Sequence, residues 1–188
     1  SIRKTELFFA AKFNEQIEQL DEQDSILFSY LPTKIFEYKF PFLINANFLT
    51  NVNREQIHTD SIWNQWLFEK IPSQLFQWIK DLLRNQQFQS QAYRLIPKKL
   101  NLLNNLLANR FNQSIETIIH NFQFILNRRK QFLRIDQAVL DQTSMSKHSS
   151  FINLNAMREF IENIYSREFH EDPFIDYDQN LEAIGVKT

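Results

Sequence analysis

Four histidines, a run of acidic residues near the C-terminus, two short basic clusters and a pair of tryptophans are the side chains here that could do chemistry. His58, His120, His148 and His170 are far apart and never take the His-x-x-x-His spacing that puts two imidazoles on one helix face, so they form no metal set. The acidic stretch Glu171-Asp172-Pro173, with Asp176 and Asp178, invites a calcium reading. A loop of the EF-hand kind starting at Asp176 needs glycine at its sixth position and glutamate at its twelfth; Leu181 and Lys187 stand there, so a solvated turn is expected. Lys98-Lys99 and Arg128-Arg129-Lys130 read as turn residues in a chain of net charge −1, which has no general pull on nucleic acid or anionic membrane. Trp63 and Trp66 could form a stacking platform, but their three-residue spacing on an apolar helical stripe points to the core.

The count that excludes most is glycine. Gly185 is the only one in 188 residues, where an average chain of this length holds roughly a dozen. Phosphate-cradling loops need glycine so that the backbone can approach a phosphate at unusual dihedrals. The chain therefore has no nucleotide loop of its own. Cysteine is absent, which excludes disulfides and thiolate zinc sites and fits a reducing, cytoplasmic setting. No apolar run is long enough to cross a bilayer as a helix, and the residues after Arg3 and Lys4 do not read as a signal-peptide apolar stretch with a small-residue cleavage site. One Asn-x-Ser sequon begins at Asn112.

Elements that must position these residues follow from the patterning. Residues 5–13 read as a strand, residues 14–24 as a polar connection, and residues 25–31 as a second strand stopped by Pro32. Residues 40–49 make a third strand with Phe40, Phe42, Ile44, Ala46 and Phe48 on one face, and Pro41 places that end at an edge or outside the ladder. These spacings suit an antiparallel meander. Helical spacing follows over 60–84, with Asp60 as N-cap and Pro72 as a kink or a second helix start, and again over 100–121. A hairpin spans 122–135 around a polar turn at 127–130, a loop covers 142–150, and helices are expected at 155–165 and 180–184, the last closed by Gly185. The fold class is α+β: a small mixed or antiparallel sheet, helices on one face and a helical C-terminal extension. Residues 1–86 would form the strand-rich part and residues 87–188 a mainly helical extension that includes the hairpin, the alternative being one continuous domain. Phe42, Ile44, Phe48, Trp66 and Leu67 are expected to be buried together. A start at Ser1, so close to a strand, reads as a piece of something longer.

One stretch carries a resemblance. Leu27-Phe-Ser-Tyr-Leu-Pro-Thr33 is followed by Phe40-Pro-Phe-Leu-Ile-Asn-Ala-Asn-Phe, the loop Asn51-Val-Asn-Arg-Glu55 and a helix opening Ser61-Ile-Trp-Asn. Over 27–71 this resembles the segment after the ATP-binding domain in sacsin-like GHKL ATPases, and more weakly so over 124–141. The loop is also similar to the catalytic loop of the middle domain in ninety-kilodalton heat-shock chaperones, Asn-x-Ser-Arg-Glu, whose arginine contacts the terminal phosphate of ATP held by the neighbouring domain. The resemblance implies that role for Arg54, with Asn51 beside it. Asn53 replaces the family's serine, and His58 stands where the chaperones have glutamine and inherits no role. The implied protein is a non-catalytic transducer segment whose partners are an upstream ATP-binding domain of the same polypeptide and protein clients. ATP and Mg²⁺ would belong to that domain, and no cofactor to this chain. Arg54 would then be partly exposed, unpaired with any carboxylate and dispensable for stability. An alternative is a protein–protein interaction module with no nucleotide role. Another is a nucleic-acid-associated transducer, as in type II topoisomerases or mismatch-repair ATPases, which would need Lys98, Lys99, Arg128 and Arg129 in one groove. Because no glycine loop is present, calorimetry on the chain alone should detect no ATP binding tighter than about the millimolar range; micromolar binding would overturn this reading.

Overall fold

The computed structural model describes residues 5–142, 154–165 and 172–188. The chain divides into two compact units, residues 1–118 and 119–188. Residues 87–118, expected in the C-terminal extension, belong to the first unit. Gln91 Oε1 accepts from Ile17 N at 2.6 Å and Arg94 Nη1 donates to Ile17 O at 3.0 Å, which ties this stretch to the strand-rich part.

In the first unit a four-stranded sheet has β1 (Phe8–Ala10), β4 (Leu27–Ser29), β5 (Leu31–Pro32) and β6 (Leu43–Asn45) in the order β1-β6-β4-β5. β1 runs antiparallel to β6, but β4 runs parallel to β6. The sheet is mixed, which corrects the expected meander: residues 30–42 carry the chain across before β6 is laid down. Pro32 lies within β5 opposite Phe28 instead of stopping the strand; β5 is the outer strand, where a missing N–H costs no ladder bond. Residues 5–13 are broken at Ala11. β2 (Lys12–Asn14) leaves the sheet and pairs with β3 (Gln16–Glu18) through a turn at Glu15, whose φ is 59°. The stretch expected to be only a connection therefore holds a strand, anchored by buried Ile17.

Alternation over 40–48 is realised in full: Phe40, Phe42, Ile44, Ala46 and Phe48 are all at most 4% exposed. Against them lies α1 (Ile62–Arg84), one helix that runs through Pro72. Proline in a helix interior removes a backbone bond and costs roughly 3 kcal/mol. The helix persists because its stripe of Leu67, Phe68, Ile71, Leu75, Phe76, Ile79 and Leu83 is buried. Phe48 meets Phe68 at 5.8 Å between ring centroids, and Phe42 meets Trp78 edge-on at 6.2 Å. The N-cap is Ser61, one residue beyond the expected Asp60. α2 (Leu106–Asn121) adds Phe111 against Phe40 at 5.1 Å, so both helices cover the same face of the sheet. α2 begins later than the expected 100, because Asn104 takes φ 54° and Asn105 Oδ1 accepts from Ala108 N to start the helix. Trp66 is a further correction. It is 38% exposed and stacks on Trp63 at 5.3 Å, outside the core formed by Phe42, Ile44, Phe48 and Leu67.

In the second unit β7 (Ile125–Leu126) and β8 (Phe132–Leu133) form the expected hairpin, turning at Lys130 with φ 62°. β9 (Val139–Asp141) pairs parallel with β10 (Phe174–Asp176). Arg128 bridges both strand ends, reaching Asp141 at 3.4 Å and Asp176 at 2.7 Å. α3 spans Leu154–Tyr165, and α4 (Gln179–Ala183) is capped by Asp178 and followed by Gly185 at φ 100°. From residue 143 the loop expected over 142–150 lies outside the described residues, as do His148 and His170. No described helix is long and apolar enough to cross a membrane. Phe42→Ala should cost about 3–5 kcal/mol by urea unfolding, as expected for a large core residue. Trp66→Ala should cost less than about 1.5 kcal/mol, because its ring is only partly covered. Equal losses would show that this division between core and surface is wrong.

Candidate functional site

The loop bearing Arg54 leaves the sheet end after Phe48 and returns at Ile57, closed by an isolated antiparallel bridge between Thr50 and Ile57. Six residues must reverse direction without a glycine. Asn51 makes this work: its Oδ1 accepts from Glu55 N at 2.9 Å and Gln56 N at 3.2 Å, while its own N–H donates to Gln56 O at 2.9 Å. Arg54 N closes the inner turn on Asn51 O at 3.0 Å. The reversal places Arg54 in the left-handed region, φ 60°, where a side chain costs roughly 1–2 kcal/mol.

The guanidinium is directed at the neighbouring hairpin. Arg54 Nη2 donates to Ser29 O and, at 2.8 Å, to Leu31 O, the carbonyls that flank the β4–β5 turn. That turn is itself held left-handed at Tyr30, φ 62°, and Tyr30 N donates to Asn45 Oδ1 at 3.0 Å. Lys34 N donates to Arg54 O at 2.8 Å, and Lys34 Nζ pairs with Glu55 at 2.7 Å. Loop and hairpin are thus laced together by main chain and side chain alike. Glu55, the acid adjacent in sequence, is engaged by Lys34. Among the described residues no carboxylate pairs with Arg54. Its Nε is buried without a partner, and Nη1 has no hydrogen bond among the described residues. Half-buried Arg54 therefore has carbonyl but no carboxylate partners among the described residues, and Nη1 is its unspent accessible donor.

The loop is fixed from below by the first turn of α1. Asn64 is fully buried; its Oδ1 accepts from Leu49 N at 2.9 Å, and its Nδ2 donates to Leu49 O at 2.8 Å and His58 O at 2.9 Å. Trp63 Nε1 donates to Asn47 O at 2.7 Å, and Gln65 Nε2 reaches Thr59 O and Asp60 O, both at 3.3 Å. Sequence reading placed Asn51 and Arg54 together, as the structure does. It missed Asn64 as a holder of the loop; the Trp-Asn pair opening the helix was the available signal.

Other sequence candidates are placed elsewhere. His58 and His120 are exposed, and among the described residues no group of three or more His, Asp or Glu is placed to hold a metal. Lys99 pairs with Glu116 at 3.1 Å, and Arg128 is committed to Asp141 and Asp176. The sequon asparagine Asn112 lies on α2 with its amide spent on Leu100, accepting from N at 2.8 Å and donating to O at 2.9 Å. Comparison with protein-family models, with curated proteins and with solved structures found no match.

The two carbonyl bonds argue against the expectation that Arg54 is dispensable for stability. Arg54→Ala should cost about 1.5–3 kcal/mol, the range for hydrogen bonds from a charged group. Arg54→Gly should be about 0.5–1 kcal/mol less damaging, because glycine accepts the positive φ. Urea melts of both variants test this, and an Arg54→Ala curve matching the parent would show that the clip carries no stability.

Proposed function

We propose that the first unit is a transducer-type module of a GHKL-like, sacsin-like ATPase, in which Arg54 contacts the terminal phosphate of ATP held by an ATP-binding domain elsewhere in the same polypeptide. The observation that carries this reading is the state of the Arg54 guanidinium. One nitrogen is anchored on backbone carbonyls, which fixes direction without neutralising charge. The remaining donors have no acidic partner among the described residues. Nε is sealed from solvent and Nη2 is committed, so the donor open to a phosphate oxygen is Nη1, on a guanidinium whose direction is fixed. Bound ATP with Mg²⁺ supplies the phosphoryl group. This chain's part is to hold a cation at the end of a sheet, and to pass the approach of the nucleotide into α1 through Leu49, His58 and Asn64.

A second reading, an interaction module without nucleotide, is favoured by the apolar tips around the guanidinium: Tyr30 is 77%, Leu31 63% and Val52 98% exposed. The two readings part on turnover. In the polypeptide that joins this segment to an ATP-binding domain, Arg54→Ala should lower ATP turnover per folded molecule about a hundredfold, the loss typical of one preorganised donor. Arg54→Lys should recover only part, since an ammonium keeps charge but loses the fork. Normal turnover in folded Arg54→Ala would end the ATPase reading and leave the interaction module.

A further inference from the structure

We propose that Asn64 is the positioning residue for Arg54: its side-chain amide fixes both feet of the arginine loop and so sets where the guanidinium lies. The purpose of that placement rests on the ATPase reading above; the placement itself does not.

The loop enters at Leu49 and leaves at His58, and Asn64 binds the main chain at both points. Its Oδ1 and Nδ2 meet Leu49 N and O as a neighbouring strand would, and the second proton of Nδ2 goes to His58 O. His58 N in turn donates to Leu49 O at 3.0 Å, so one buried amide closes a ring around the loop's base. Burial at 0% removes water as a substitute partner, and an unmet main-chain group there is costly. The side chain also lies in the first turn of α1, whose stripe is sunk in the core, so the loop is referenced to a helix anchored by its buried face. The bonds of Arg54 itself run to Asn51 O, Lys34 N, Ser29 O and Leu31 O, all within the loop and the neighbouring hairpin, and none of them reaches α1. Were the base to shift, the chelate on Ser29 O and Leu31 O would be lost before the core was disturbed.

Asn64→Asp is the sharpest probe, because it is nearly isosteric. It keeps an acceptor toward Leu49 N but turns a carboxylate oxygen toward two carbonyl oxygens. Asn64→Ala removes the amide entirely. Asn112→Ala is the control, since Asn112 holds Leu100 by the same pair of bonds without touching the arginine loop. On the isotopically labelled chain, without nucleotide, NMR follows the Arg54 Nε–H resonance and the hydrogen exchange of the Leu49 and Arg54 amides against Phe76 and Ile79 in α1. Both Asn64 variants should move or broaden the Arg54 resonance and speed loop exchange at least about tenfold more than core exchange, the mark of local opening. Asn112→Ala should leave the Arg54 resonance in place. In Asn64→Asp, acidification should restore the Arg54 resonance in part, because the protonated acid regains a donor. Uniformly faster exchange with an unmoved Arg54 signal would overturn the proposal, as would an equal effect from Asn112→Ala. Should Asn64→Asp fail to fold, Asn64→Ser provides the same reading with a smaller polar group. Because no turnover enters this experiment, a failure of the ATPase reading would leave its result intact.

Discussion

The first unit depends on one contact: the inward face of residues 40–48 against the buried stripe of α1. Five alternating residues and seven helical ones exclude water together, and the arginine loop is hung between the two sides. Burial of this kind is non-directional. It brings strand and helix together without setting the loop between them, residues 49–61, to the accuracy a site requires. That accuracy comes from directional bonds at the seam, where the helix's first turn meets the strand's last residues.

Those bonds are carried largely by side-chain amides. With a single glycine the chain cannot turn freely, and its main-chain groups at irregular points need partners. Asn45, Asn51, Asn64, Gln91, Asn112 and Asn127 each meet a backbone group that regular structure leaves over. Asn and Gln make up about a fifth of the chain, and here that composition is structural. Six non-glycine residues with positive φ among the described residues show what the arrangement sustains: Glu15, Tyr30, Lys39, Arg54, Asn104 and Lys130.

The α+β class, the buried face of 40–48, the hairpin at 125–133 and the helix closed before Gly185 were legible because each rests on a strong local signal: period two, a polar turn between apolar runs, or a stop residue. The order of the sheet was not, since strands of three residues carry little register and the parallel pairing of Leu27 with Ile44 and Phe28 with Asn45 leaves no pattern. β3 was hidden because a single buried residue, Ile17, anchors it in a polar run. Trp66 was misplaced because helical periodicity gives the centre of a stripe but not its width. At the candidate site, Arg54 and Asn51 were singled out through a resemblance, while the partners of Arg54 were invisible: backbone carbonyls have no identity in a sequence.

Reliance on amides has a chemical consequence over time. An asparagine side chain can hydrolyse to aspartate, and it does so fastest when glycine follows, because the bare neighbour lets the succinimide ring close. The lone glycine here follows Ile184, so the chain contains no such pair. Asn64 is followed by Gln65, lies in a helix and is sealed from water, and all three circumstances oppose ring closure. Scarcity of glycine thus does more than stiffen the turns; it protects the chemical lifetime of the groups that replace it.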